Sequence, residues 1–167
     1  MPAAMPENLS LILNSGRITA EDVLAIRRTI YPDGHVGIDE SDWLFELNGR
    51  CKQQDLAWHT LFVEAITDLV VHQMQPDGYV IEENTSWLMT RIDHDGHVDS
   101  ATELELLVNI LDKSTSCPPR LSAYVLAQVK HAVLHGEGPL RWERHLAPGR
   151  VTSGDVDLLR RVLYAAG

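Results

Sequence analysis

The segments GRITAEDVLAIRRTIYPDG (residues 16–34) and GRVTSGDVDLLRRVLYAAG (residues 149–167) align without a gap and share nine of 19 positions. A third segment, GYVIEENTSWLMTRIDHDG (residues 78–96), keeps both terminal glycines, an aliphatic residue two after the first, and apolar residues at Leu88 and Ile92. Self-similarity of this kind marks a chain built from repeated supersecondary units. The ends of the first and third of these stretches in chain order repeat a tetrapeptide as well: Asp33-Gly34-His35-Val36 in the one is matched by Asp95-Gly96-His97-Val98 in the segment that starts at Gly78. The predicted unit is a glycine loop, a helix, an Asp-Gly loop, a second helix, a connector and a third helix.

Working outward, residues 1–15 read as an N-terminal tail and residues 16–167 as a single helical domain. Within it, full modules cover residues 16–77 and 78–148, and a partial one covers 149–167. Apolar residues recur at steps of three and four in Val23, Ile26 and Ile30, in Leu104, Leu107, Val108 and Leu111, and in Val125, Val129, Ala132 and Val133, the spacing of one buried helical face. Leu61, Phe62, Ala65, Ile66, Leu69 and Val70 form the widest such face. Capping boxes mark helix starts at Thr19 with Asp22, Ser100 with Glu103 and Thr152 with Asp155, and more weakly at Asp39 with Asp42. No segment shows sustained alternation rich in β-branched residues. The expectation is an all-α fold of about seven helices, with Trp43, Trp58 and Trp87 filling the core and Trp142 a candidate interface anchor.

Composition narrows the function. The 167 residues carry 24 acidic against 14 basic side chains, a net charge of −10, which argues against binding nucleic acid or an anionic membrane surface. No apolar run reaches the ~20 residues that span a bilayer, since Leu61 to Val71 is broken by Glu64, Thr67 and Asp68. The N-terminus lacks the basic-then-apolar pattern of a signal peptide, so the expected compartment is the cytoplasm. Cys51 and Cys117 make neither a disulfide framework nor a zinc cluster. No nucleophile, base and orienting group assemble in the sequence, and no phosphate-cradling loop is present.

The glycine loops invite comparison with calcium loops, in which a glycine allows the turn and an acid six residues later grips the ion. The upstream ligand positions fail the comparison at Gly16 (Leu11, Leu13, Ser15) and at Gly34 (Thr29, Tyr31, Asp33). They also fail at Gly78 (Gln73, Gln75, Asp77). The loop around Gly96 offers most: Asp93, Asp95, Asp99 and Glu103 are candidate ligands for calcium or magnesium, flanked by His94 and His97. Against this, Arg91 falls where the first ligand belongs and Thr102 where the bidentate acid belongs. An Asp-Gly turn followed by a capping box produces the same acids without a metal.

On these residues the chain resembles the EF-hand superfamily in degenerate form. It is also similar to the tellurite-resistance-B (TerB-like) family, whose helices end in Asp-Gly with an acid six to seven residues on. Asp33-Gly34 to Glu40 and Asp95-Gly96 to Glu103 carry that likeness. The resemblance implies a helical cytoplasmic protein that works through partners, with a cation site at Asp33, Glu40, Asp95 and Glu103 and no enzyme activity. The expected function is a non-catalytic interaction or scaffold protein without a cofactor, with a protein partner, no nucleic acid and no membrane insertion. The alternative is a calcium or magnesium sensor using the loop around Gly96. An enzyme reading would require His35, His94 and His97 to converge.

Overall fold

The computed structural model describes residues 3–93, 98, 100–135, 160, 163 and 164. Among them seven α-helices dominate, and strands amount to one two-residue pair, so the fold is all-α as the periodicity predicts. The chain divides into two compact units, Met1–Leu69 and Val70–Gly167.

Unit 1 begins with a helix where the sequence reads as tail. Helix α1 (Glu7–Ser15) starts after Pro6, buries Leu9 and Ile12, and packs on α3 (Ile38–Arg50). It stops at Gly16, whose φ of 71° lets its N–H reach back to the Leu13 carbonyl. The short strand β1 (Arg17–Ile18) then pairs in parallel with β2 (Gln53–Gln54). Helix α2 (Ala20–Ile30) carries both halves of the expected capping box: the Asp22 N–H donates to Thr19 Oγ1, and the Thr19 N–H to Asp22 Oδ2. Its buried stripe is Val23, Ile26 and Ile30, and it packs on α4 (Leu56–Thr67). Trp58, Leu61, Phe62, Ala65 and Ile66 of α4 supply the centre of the core. Phe45 meets Phe62 edge-on with ring centroids 5.3 Å apart. Helix α4 runs on into a π-helical turn, Asp68–Gln73.

Unit 2 repeats the plan. Helix α5 (Glu82–Ile92) has the 11 residues of α2, displaced by 62 positions, and α6 (Ala101–Lys113) has the 13 of α3, displaced by 63. Helix α7 (Pro119–His135) begins 63 positions after α4. The strand pair has its counterpart in a parallel bridge between Tyr79 and Ser116, and the Gly78 carbonyl accepts from the Thr115 N–H as the Gly16 carbonyl accepts from Gln53. Burial repeats too, with Ile26 and Ile30 answered by Leu88 and Ile92, and Leu44 and Leu47 by Leu107 and Ile110. The one-residue change of offset falls in the Gly96 loop, which is why Glu103 looks one position late in the sequence. Both Glu40 and Glu103 are the third residue of their helices.

Two expectations need correction. Asp39 does not open α3: Gly37 is its N-cap, so Asp39 and Glu40 both lie in the first turn. Of the three tryptophans expected in the core, Trp58 is fully buried, whereas Trp43 and Trp87 are half-buried. Their polar environments explain it, since the Trp43 indole donates to the Ala3 carbonyl and the Arg91 guanidinium lies 4.0 Å over the Trp87 ring. Trp142, the Thr152–Asp155 box and nearly all of the partial third copy lie outside the described residues.

Candidate functional site

The loop around Gly96 is the first place to look for chemistry, and two of its four candidate ligands are described. Asp93, which follows the last turn of α5, accepts a hydrogen bond from the Tyr124 hydroxyl of α7 at 2.8 Å. Glu103 is buried in the first turn of α6, and its N–H donates to Ser100 Oγ at 3.1 Å. The Val98 N–H donates to the side-chain oxygen of Gln128, also on α7. The described ends of the loop are thus tied to helix α7 and to the start of α6. Asp95, Asp99, His94, Gly96 and His97 lie outside the described residues.

The matching loop of unit 1 is described throughout. Asp33 Oδ1 accepts from the His35 N–H at 3.2 Å, closing a turn at Gly34, whose φ is 84°. The Glu40 carboxylate folds back over Gly37, so that a β-carbon at residue 37 would collide with it. Glycine at this N-cap is what leaves room for the acid of the third helical position. Asp33 and Glu40, the pair that the TerB-like resemblance nominates, are each engaged with their own turn or helix start. Among the described residues no three His, Cys, Asp or Glu side chains form a group that could hold a metal ion.

Other reactive side chains are similarly placed. Burial pushes the Cys51 thiol above its ordinary pKa, and its sulfur faces the Ile12 carbonyl at 3.8 Å. A raised pKa keeps the thiol protonated and makes it a poor nucleophile. Cys117 Sγ lies 3.3 Å from Ser122 Oγ. His72 Nδ1 meets Asp77 Oδ1 at 2.9 Å on the surface. The Arg27 guanidinium grips Glu64 through both of its terminal nitrogens at 2.9 and 3.2 Å, which holds the Glu64 carboxyl below the usual carboxylate range. Surface pairs of this kind add only about 0.2–1 kcal/mol.

The sequence reading did not anticipate one contrast between the units. In unit 2, Arg120 at the start of α7 bonds Glu82 at 2.9 Å and Ser86 at 2.9 Å, both on α5. The repeat offsets put Ala57, Ala20 and Leu24 in those three places in unit 1, and Leu56 beside them. Leu24 is 59% exposed and Leu56 61% exposed. A signal was present: Leu24 stands about 100° around the helix from Val23, off the buried stripe. The chain matches no family model, no curated protein and no solved structure.

Proposed function

We propose that the protein is a non-catalytic helical interaction or scaffold module that works in the cytoplasm through a protein partner. The observation that carries this reading is where the carboxylates of the turns and helix starts go. Asp22 closes a capping box, Asp55 caps α4 through the Ala57 N–H, Asp33 closes its own turn, and Asp93 accepts from Tyr124. Acids spent on turns and caps contribute on the order of 1 kcal/mol each to the fold. What the surface offers instead is apolar area on unit 1.

The test is photo-crosslinking of the full chain in its native host, with melting curves of the purified protein in calcium, magnesium and manganese alongside. Reproducible crosslinks to a protein, together with metal-independent melting, support the reading. Two outcomes overturn it. One is the absence of any partner above the unactivated control. The other is a metal-dependent rise in stability of about 2.7 kcal/mol at a hundredfold excess over the dissociation constant, abolished by Asp95→Asn, which would establish the cation-sensor alternative at Asp93, Asp95, Asp99 and Glu103.

A further inference from the structure

The two units place opposite chemistry at one position of the same fold. Where α5 meets the first turn of α7, unit 2 has a solvated polar cluster of Glu82, Ser86 and Arg120. Their contacts establish that these positions are neighbours across the helix pair. Unit 1 sets Ala20, Leu24 and Ala57 there, with Leu56 adjoining, and its own pairing keeps the same register. The Asp55 N–H bonds the Ile18 carbonyl at one end of the α2–α4 pair, and Arg27 bonds Glu64 further along. The alanines leave open the space that Glu82 and Arg120 fill in unit 2, and two exposed leucines stand beside it, one on each helix. An isolated exposed leucine needs no explanation. A shared geometry whose polar occupants are replaced by four apolar ones is a different matter.

We infer that the face formed by Ala20, Leu24, Leu56 and Ala57 docks a short, basic amphipathic helix of a partner protein. This deepens the interaction reading above and rests on it. Size excludes the most obvious competitor. Two leucines and two alanines expose far less than the ~800 Å² per partner that a stable protein pair buries, so the face is too small to hold a second copy of this chain. It suits the apolar stripe of one helix laid between two others. Charge selects the sign of the partner's rim. Glu21 lies one turn before Leu24 and Asp55 immediately before Leu56, the Arg27 guanidinium is occupied by Glu64, and only Arg28 opposes, within a chain of net charge −10. Long-range steering by that charge favours a lysine- or arginine-bearing helix.

The probe is a synthetic amphipathic helix of leucine and lysine, titrated into the isotope-labelled full chain and followed by amide chemical shifts. Its leucine–glutamate counterpart serves as control. The expected result is binding that shifts the amides of Ala20, Leu24, Leu56 and Ala57 and weakens about tenfold in Leu24→Ser/Leu56→Ser, the loss of a modest apolar hot spot. A second variant, Ala20→Glu/Leu24→Ser/Ala57→Arg, transplants the cluster of unit 2 and keeps the face in a form the fold already uses. It should abolish binding equally. Shifts located elsewhere, equal binding of the acidic helix, or binding unchanged in both variants would overturn the inference. So would self-association by sedimentation that both variants remove, which would assign the face to a second copy. Host crosslinks that persist in the variants would sink this face and leave the interaction reading standing, whereas their absence from the wild type sinks that reading itself.

Discussion

Thr85 occupies in α5 the place that Val23 occupies in α2: both are buried on the same stripe, and the Thr85 hydroxyl has no hydrogen-bond partner among the described residues. A buried hydroxyl left unpaired costs ~1–3 kcal/mol relative to one that stays solvated. The two side chains have the same shape, so unit 1 already shows the repair. Thr85→Val is expected to stabilise the protein by about 1 kcal/mol. Urea unfolding checks it through a raised midpoint at unchanged slope. A destabilised Thr85→Val would mean that the hydroxyl finds a partner.

The same helix lacks the cap of its counterpart. Thr19 and Asp22 bond reciprocally at the start of α2, whereas the equivalent residues of α5 are Ile81 and Asn84, with no side-chain cap and with Asn84 Nδ2 buried and unpartnered among the described residues. Restoring the pair with Ile81→Thr/Asn84→Asp should add ~1 kcal/mol, and the two changes should be worth more together than separately, because each half of a capping box orients the other. A double-mutant cycle by thermal unfolding measures that coupling. Strict additivity would contradict it.

The repeat and its helices were legible because glycine spacing and apolar periodicity are local signals, and Ile26, Ile30, Leu88 and Ile92 fall where those signals put them. Helix α1 was not legible. Its start at Pro6 carries no capping side chain, and only Leu9 and Ile12 of its nine residues are buried, which is too few to display a period. The parallel pairing of Arg17–Ile18 with Gln53–Gln54 was invisible for another reason, since two-residue strands joined across 36 positions have no sequence pattern. At the candidate sites the acids could be located and their partners could not. Asp93 is claimed by Tyr124, 31 residues away, and that contact exists only once α7 folds back. The apolar face of unit 1 emerged only from superposing the repeats, because Leu24 looks like any surface leucine until Ser86 is seen bonded to Arg120 in the same place.

Trp58 and Asn48 give a third test of what the repeats share. The buried Trp58 indole donates to Asn48 Oδ1 at 3.0 Å, and the Gln54 amide donates to the Asn48 carbonyl at 3.1 Å. Unit 2 has Leu111 and Leu121 at these positions, both buried, and so has no polar group there to satisfy. Asn48→Leu copies one half of that solution and strands the indole N–H. It should destabilise by about 2 kcal/mol, the cost of an unpaired buried donor. Asn48→Asp, which keeps an acceptor, should recover part of the loss. If Asn48→Leu is neutral, the bond contributes nothing to unit 1.

His59 sets the acid side of the stability curve. Burial in α4 lowers its pKa below the ordinary value near 6.5, and Asp55 opposes the shift more weakly. The unfolded chain then holds the proton that the folded chain refuses, so stability is complete above about pH 6.5 and falls as the pH drops through the interval below it. Glu64, held low chiefly by its bond to Arg27, acts in the same direction only further down, below the ordinary glutamate value near 4.5. The two contributions therefore separate by pH. His59→Gln should flatten the dependence between about pH 7 and pH 5, and Glu64→Gln should flatten it only below that range. Unfolding free energies measured in urea across both intervals decide the matter. Parallel curves for wild type and His59→Gln from neutral to pH 5 would show that burial imposes no penalty on the charged imidazole.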